Sequence, residues 1–389
     1  MTDNFDDIRP YRDDEVLPVL ARILANSELM LAVTKLRFPR WPLMVRRLLV
    51  PVVRLVLRRQ LANVKTVLDF QHVVAGHMEH MIETTTSAFT VSGIEHLQAG
   101  QAYLFISNHR DIALDPAFIN YALFKQRGHT VRIAIGDNLL TKDYVSDLMR
   151  LNKSFIVKRS VSGMKELLKA SKHLAAYMRF SIQQERHSVW IAQREGRAKN
   201  GIDRTEPAVI KMIALAQDRK EESLADFVSG MHIVPVSISY EFDPCDQMKA
   251  GELLAKARTG SYQKGEHEDV ASIAQGIAGQ KGAVHLAIGR PLSGSFDSIE
   301  AVVAALDEQI VGNYRLHASN YIAWQRLYGA LPEGIRVDAS EQQLDSARAY
   351  LDERLAGCEA DAAPYLLGMY ANCIKSLQEY SAGRSSAGT

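Results

Sequence analysis

The chain has 389 residues but only three cysteines, Cys245, Cys358 and Cys373, far apart and outside any CxxC or His/Cys cluster. This scarcity argues against a disulfide framework and a structural zinc site, and fits a reducing compartment. Net charge is also scarce, at +1, so no overall field points to nucleic acid and the local distribution of charge matters more. A run of about 18 uncharged apolar residues is missing, so no transmembrane span is expected. The opening MTDNFDDIRPYRDDE is acidic and polar and does not read as a secretory signal. Acid is absent from one long stretch. Between Lys35 and Lys65 there is no Asp or Glu, while Arg37, Arg40, Arg46, Arg47, Arg54, Arg58 and Arg59 are all present.

That stretch lies in a region, residues 1–90, whose apolar spacing predicts helices. At about 100° per residue, Arg46, Arg47, Arg54 and Arg58 share one arc, and Leu48, Leu49, Val52, Leu55 and Val56 fall opposite. Pro51 should interrupt or kink this helix. A basic amphipathic segment introduced by Phe38 and Trp41 suits a membrane surface, so residues 35–65 are the expected membrane contact of a peripheral protein on the inner, cytoplasmic face. The plain alternative is a core helix with a solvated basic face. His72, His77 and His80 follow within a helix and short linker over residues 66–92, and we read them as structural.

From residue 91 to about 300 the texture alternates. Apolar, β-branched runs at Tyr103–Ile106, Val131–Ile135, Phe155–Val157, Val189–Ala192, Ile233–Ile238 and Val284–Ile288 are separated by helical segments. Such alternation predicts an α/β fold, with a mostly parallel central sheet flanked by helices. Residues 259–282 are polar and glycine-rich, a loop or marginal helix. Residues 301–389 read as a helical C-terminal region broken at Pro332-Glu333-Gly334, with a disordered tail, SAGRSSAGT. The expected organisation is therefore a central α/β domain over 91–300 with helical N-terminal and C-terminal additions.

The chemistry concentrates at YLFISNHRDIALDPAF, Tyr103 to Phe118. An apolar strand ends at Ser107-Asn108, His109 follows, and Asp111 and Asp115 stand close behind before helical spacing resumes. Ligands of open α/β sheets bind at the carboxyl ends of strands. A histidine beside a carboxylate is the minimum for general-base chemistry, because the carboxylate fixes the tautomer and steadies the imidazolium. The plain alternative makes Asp115 an N-cap ahead of Pro116.

Other strand ends carry cations. Val157 runs into Lys158-Arg159, and Ala192 into Gln193-Arg194-Glu195-Gly196-Arg197-Ala198-Lys199, with Arg204 beyond. The strand Ile233–Ile238 ends at Ser239-Tyr240-Glu241. If the strands are parallel these tips share an edge with His109, and arginine forks suit phosphate oxygens. Gly196 allows close backbone approach, and Glu195 would hold the neighbouring guanidinium groups.

In this order the blocks resemble the glycerolipid acyltransferase family. Asn108-His109 with a following Asp resembles its first block, and Phe155-Ile156-Val157-Lys158-Arg159 its second. Ile191 to Arg197 resembles the third, and Ile233-Val234-Pro235-Val236-Ser237 the fourth. Gly289-Arg290-Pro291-Leu292 is similar to a late turn of the family. The resemblance spans about residues 91–300 and is nearest in style to the plastid-type glycerol-3-phosphate acyltransferases. It implies transfer of an acyl group from acyl-CoA or acyl-carrier protein to a hydroxyl of glycerol 3-phosphate or 1-acylglycerol 3-phosphate, without cofactor or metal. It also implies His109 as the base, Asp115 as its partner with Asp111 as rival, and Lys158, Arg159, Arg194, Arg197, Lys199 and Arg204 on the acceptor phosphate. Asn108, Glu195, Gly196 and Pro235 would shape the site. The spacing departs in one respect, since five residues separate His109 from Asp115 where the family has four. Runner-up readings are another lysophospholipid acceptor, and a non-catalytic protein that binds anionic lipid.

Overall fold

A computed structural model describes residues 5–38, 40–265 and 267–387. In chain order its elements are α1 (Asp13–Ala25), α2 (Ser27–Arg37), α3 (Leu43–Gln60), α4 (Val67–Thr85), β1 (Thr86–Ser92), β2 (Leu104–Ser107), α5 (Leu114–Arg127), β3 (Arg132–Gly136), α6 (Asp143–Leu151), β4 (Ser154–Val157), α7 (Met164–Gln183) and β5 (Val189–Ala192). There follow α8 (Pro207–Ile213), α9 (Leu224–Gly230), β6 (Ile233–Tyr240), α10 (Asp246–Thr259), α11 (Glu268–Ala278), β7 (Gly282–Ile288), α12 (Ile299–Gly312), α13 (Ala318–Tyr328), α14 (Glu341–Ala356) and α15 (Ala363–Ala387).

The strands form one seven-stranded sheet in the order β1-β7-β6-β2-β5-β3-β4. From β6 through β2, β5 and β3 to β4 every pairing is parallel, while β7 runs antiparallel to β6 and carries β1 parallel to itself. Central parallel strands are covered on both faces, which is why they read as continuous apolar runs. Leu104 and Ile106 face one core with Val189, Ile191, Ile233 and residues of α7 to α9 and α12. Phe105 faces the other with Trp190, Val234, Val236 and the α5 residues Leu114, Phe118, Ile119 and Leu123. Each such side chain, fully buried, contributes about 1.5–3 kcal/mol, and together they fix α5 against the strand end that carries His109.

The sheet has one strand more than the sequence predicts. β1 falls where a helix and linker are expected, because TSAFTVS is a half-exposed edge strand in which Phe89 and Val91 pack inward. The glycine-rich 259–282 segment does form a helix, α11. α15 continues through Ala387, over most of the tail expected to lack order; extending an existing helix is far easier than starting one. Residues 388 and 389 lie outside the described residues.

The flanking helices have their own cores. Val16, Val19, Leu20 and Ile23 of α1 pack with Met30, Phe70 and Leu151. Helices α13, α14 and α15 cluster with α10 around Ala250, Leu254, Ile322, Leu351 and Leu366. Among the described residues no single helix is long and apolar enough to cross a membrane; α1 with the first part of α2 meets that test only as a pair bent by 70°.

Helix α3 runs unbroken through Pro51, and none of its residues is fully buried. Its two arcs are those expected, but their surroundings are not. Arg46 and Arg54 are half-buried toward the protein, while Arg47, Arg58 and Arg59 are exposed. The apolar arc faces solvent: Met44 is 79% exposed, Leu48 77%, Val52 54%, Leu55 49% and Val56 47%. Only Val50 and Leu57, on the other side, join the helical core.

Candidate active site

The site is built where β2 ends. Asn108 continues the β2–β6 pairing with its side chain. Its Oδ1 accepts from Ile238 N at 2.8 Å, and its Nδ2 donates to Ile238 O at 2.9 Å and to Asp203 Oδ2 at 3.0 Å. This fully buried amide fixes where the chain leaves the sheet. His109 follows with 14% of its side chain exposed, and its Nδ1 lies 2.9 Å from Asp115 Oδ2. Nδ1 therefore carries the proton donated to the carboxylate, and Nε2 is left as the basic nitrogen.

Asp115 is completely buried. Its Oδ2 also accepts the backbone N–H of Arg110 at 2.6 Å and of Asp111 at 3.0 Å, and its Oδ1 accepts from Tyr240 Oη at 2.8 Å. Asp111 faces away from the ring. Its Oδ1 takes Ala113 N and Leu114 N, both at 2.9 Å, so it caps the turn that opens α5. Capping thus belongs to Asp111 and not to Asp115, which sits inside the helix. With five residues between them, Asp115 still reaches the His109 ring. Burial, reinforced by the Asp115 charge, pushes the Asp111 carboxyl above the usual range.

Arg110 ties the turn to the C-terminal helices. Its buried guanidinium donates to Asp203 Oδ2 at 2.6 Å and to Gly201 O at 3.1 Å, and lies 3.4 Å from Cys373 Sγ on α15. Lys249 of α10 donates to Arg110 O at 2.7 Å and pairs with Asp243.

The predicted cations divide. The loop after β5 is pinned to the histidine itself, since Ala198 N donates to His109 O at 2.7 Å. Beside it, Arg197 Nη1 donates to Ser272 Oγ on α11 at 2.7 Å, with no carboxylate recorded as its partner among the described residues. Gly196, at φ +69°, supplies the left-handed turn that a side-chain-bearing residue would strain. Arg159 approaches the same loop through Glu195 at 3.4 Å, and Arg194, within the loop, lies 3.7 Å from Glu206. Glu195 therefore holds Arg159, where the sequence suggested Arg194 and Arg197. The remaining three are drawn elsewhere. Lys158 pairs with Asp7 at 2.5 Å, half-buried Lys199 with Glu252, and exposed Arg204 with Glu379 at 2.9 Å. Pro235 lies beside Ile106 in the β2–β6 ladder, and its carbonyl accepts from Gly289 N at 2.8 Å.

The sequence model of the acyltransferase family matches residues 88–239, from β1 to the last residue but one of β6. Over these residues the chain carries an acyltransferase domain. The His109–Asp115 pair, Asn108 and Arg197 all lie within the matched residues; Tyr240 follows directly after them, and Lys249 and Ser272 lie further on. A similar solved structure is the 1-acyl-sn-glycerophosphate (LPA) acyltransferase PlsC of Thermotoga maritima, at 13% identity, with 61% of this chain and 76% of that one covered and a TM-score of 0.34. No curated protein matches the chain.

Asp203, Lys249 and Ser272 escape the sequence reading because no motif marks them. Each reaches the site from a segment remote in the chain. Arg110 stands inside the quoted stretch, but its partner Asp203 is 93 residues away, a separation that gives no periodic signal. Among the described residues no group of three or more His, Cys, Asp and Glu could hold a metal ion, and His72 packs edge-on against Phe124 with ring centroids 4.9 Å apart.

Proposed function

We propose that this protein transfers an acyl group from a thioester, acyl-CoA or acyl-carrier protein, to a hydroxyl of glycerol 3-phosphate or 1-acylglycerol 3-phosphate. One observation carries the reading: a basic His109 Nε2, set by a buried carboxylate, is joined through a single backbone hydrogen bond to the loop bearing Arg197. The acceptor phosphate binds Arg197, with Arg159 and Arg194 in support, and a glycerol hydroxyl is thereby held at the ring. Nε2 removes the hydroxyl proton as the oxygen attacks the thioester carbonyl carbon. The tetrahedral intermediate collapses with cleavage of the C–S bond, and the imidazolium returns the proton to the departing thiolate. Asp115 stabilises the imidazolium throughout. Because a positioned hydroxyl suffices, no acyl-enzyme is needed.

The reading includes a membrane contact on the cytoplasmic face. The exposed apolar ridge of α3, flanked by Arg47, Arg58 and Arg59, favours it over a solvated core helix. A second apolar tip supports it. At the start of α7, Met164 is 83% exposed, and Leu167 and Leu168 are exposed beside Lys165 and Lys169. This tip follows the Lys158-Arg159 strand end.

The test is thiol release from acyl-CoA and from acyl-carrier protein with a panel of acceptors: glycerol 3-phosphate, 1-acylglycerol 3-phosphate and other lysophospholipids. Release that depends on a phosphorylated glycerol and vanishes in His109→Ala is expected. Release without an acceptor, or near-normal turnover in His109→Ala, overturns the proposal. Lipid binding with no turnover at all points to the non-catalytic alternative.

A further inference from the structure

Tyr240 is the last residue of β6 and is almost completely buried, packed edge-on against Phe118 in the core on the α5 side of the sheet. A phenylalanine would fill that space equally well, and a hydroxyl taken into an apolar core without a partner costs free energy. Among the described residues the hydroxyl has one hydrogen-bond partner, Asp115 Oδ1 at 2.8 Å. The opposite oxygen, Oδ2, already serves His109 and two backbone amides. The carboxylate is therefore gripped from both ends, by the turn on one side and by β6 on the other.

We propose that Tyr240 is a positioning residue of the acyl-transfer reaction, acting through Asp115 to set both the orientation and the basicity of His109. This rests on the acyl-transfer reading above, and deepens it. Two consequences follow from the bond. With Oδ1 held, the carboxylate cannot rotate away from the ring. With Oδ1 hydrogen-bonded, its negative charge is shared with the phenol, and the imidazolium is stabilised less than it would be by a bare carboxylate. Tyr240 therefore tempers the hold of the carboxylate on the imidazolium, which favours Nε2 as the base. The phenol stays a donor across the working range, since burial and the Asp115 charge hold its own proton loss well above the ordinary tyrosine value.

Other charges surround the pair. Asp111 and Arg110 share its turn, Asp203 holds Arg110, Lys249 and Asp243 approach from the β6–α10 side, Arg197 from the loop after β5, and Lys281 acts on Asp111 from the start of β7. All of these stay in place in Tyr240→Phe, so that variant isolates the hydroxyl.

The experiment compares wild type, Tyr240→Phe, Asp115→Asn and the double variant. In Tyr240→Phe, kcat should fall about tenfold, the loss of one hydrogen bond to a charged group, while the acceptor KM stays within about twofold. The acid limb of kcat/KM should move to higher pH. Nitrogen NMR of the full chain labelled at histidine, with the His109 signals assigned by their loss in His109→Ala, should show the same upward shift of the ring pKa. On the Asp115→Asn background the Phe substitution should cost almost nothing further, because its route of action is gone. A structural role alone would lower the unfolding midpoint and kcat without moving either pKa readout, and its cost would persist on the Asp115→Asn background. Either result, or an unchanged kcat, overturns the proposal. The NMR titration needs no turnover, so failure of the acyl-transfer reading and failure of the Tyr240 role are told apart.

Discussion

Arg197 meets a hydroxyl where its neighbours in the loop after β5 meet carboxylates: Nη1 donates to Ser272 Oγ at 2.7 Å. A guanidinium without an acidic partner can exchange that weak neutral acceptor for a phosphate at little cost. Arg197→Ala should therefore raise KM for the phosphorylated acceptor by about 10- to 100-fold, as expected for loss of a charge-assisted contact, with a smaller effect on kcat. Ser272→Ala should leave KM within about threefold, since a neutral hydrogen bond contributes roughly 1 kcal/mol. Steady-state kinetics against the acceptor check both. An unchanged KM in Arg197→Ala removes this residue from phosphate binding.

The two aspartates separate cleanly by substitution. Asp115→Asn cannot accept the His109, Arg110 and Asp111 donors on one oxygen while keeping its amide satisfied, and the ring loses the partner that fixes its tautomer. A fall in kcat of about 10²–10⁴-fold is expected. Asp111→Asn keeps the cap of α5, because asparagine caps as well as aspartate, and removes a carboxyl whose ionisation burial disfavours. It should keep kcat within about threefold and leave the thermal midpoint nearly unchanged. Equal losses in both variants would show that Asp111 also serves the ring.

That distinction marks the limit of what the sequence could tell. His109 was legible because a buried strand, a turn and a helix have different periodicities, and the residue falls at the junction. The central parallel strands were legible for the same reason. The partner was not, because spacing alone gives no side-chain direction: Asp115 turns to the ring and to Tyr240, Asp111 to the amides that open α5. β1 was missed because an edge strand with alternating exposure lacks a continuous apolar run. The ion pairs of Lys158 with Asp7 and Arg204 with Glu379 join segments more than 150 residues apart, so sequence could count those cations but not say which were engaged. α3 shows the converse. Its arcs were readable, but which one faces the protein depends on α1 and α2.

His317 sets an acid limit on stability. It is buried at the start of α13, where its backbone N–H donates to Asn320 Oδ1 at 2.7 Å and its Nε2 lies 3.2 Å from Ser239 Oγ. Burial, with Arg315 nearby, pushes its pKa down to about 3. The unfolded chain, with a histidine near 6.5, binds the proton first as pH falls. Stability is thus fully present above about pH 6.5 and is lost progressively toward pH 3, by an amount on the order of a few kcal/mol. His317→Asn removes the titrating ring and places a residue favoured at N-caps at the start of α13. Urea unfolding from pH 7 to 4 should show a flatter decline in the variant than in wild type; parallel declines would rule out His317 as the source.

The two exposed apolar elements can be tested apart because they belong to different parts of the chain. Burying a leucine-sized side chain is worth about 1.5–3 kcal/mol, so replacing two by glutamate on α3, Leu48 and Leu55, should reduce binding to vesicles of anionic lipid by at least about tenfold. Reversing Arg47, Arg58 and Arg59 to glutamate should weaken binding too, and should flatten its dependence on salt, since each basic residue near an anionic surface contributes about 1 kcal/mol that salt screens. At the α7 tip, Met164→Glu with Leu167→Glu should have the smaller effect on vesicle binding, because three apolar side chains stand there against the longer α3 ridge. Its position beside the Lys158-Arg159 strand end makes it the better candidate for feeding lipid to the site. That variant should therefore lose activity on long-chain acyl donors in vesicles while keeping activity on short-chain donors free in solution. Flotation with vesicles containing phosphatidylglycerol checks the first two expectations, and paired assays check the third. Flotation that all three sets of substitutions leave unchanged would free both helices from any membrane role and return α3 to the status of an exposed amphipathic helix.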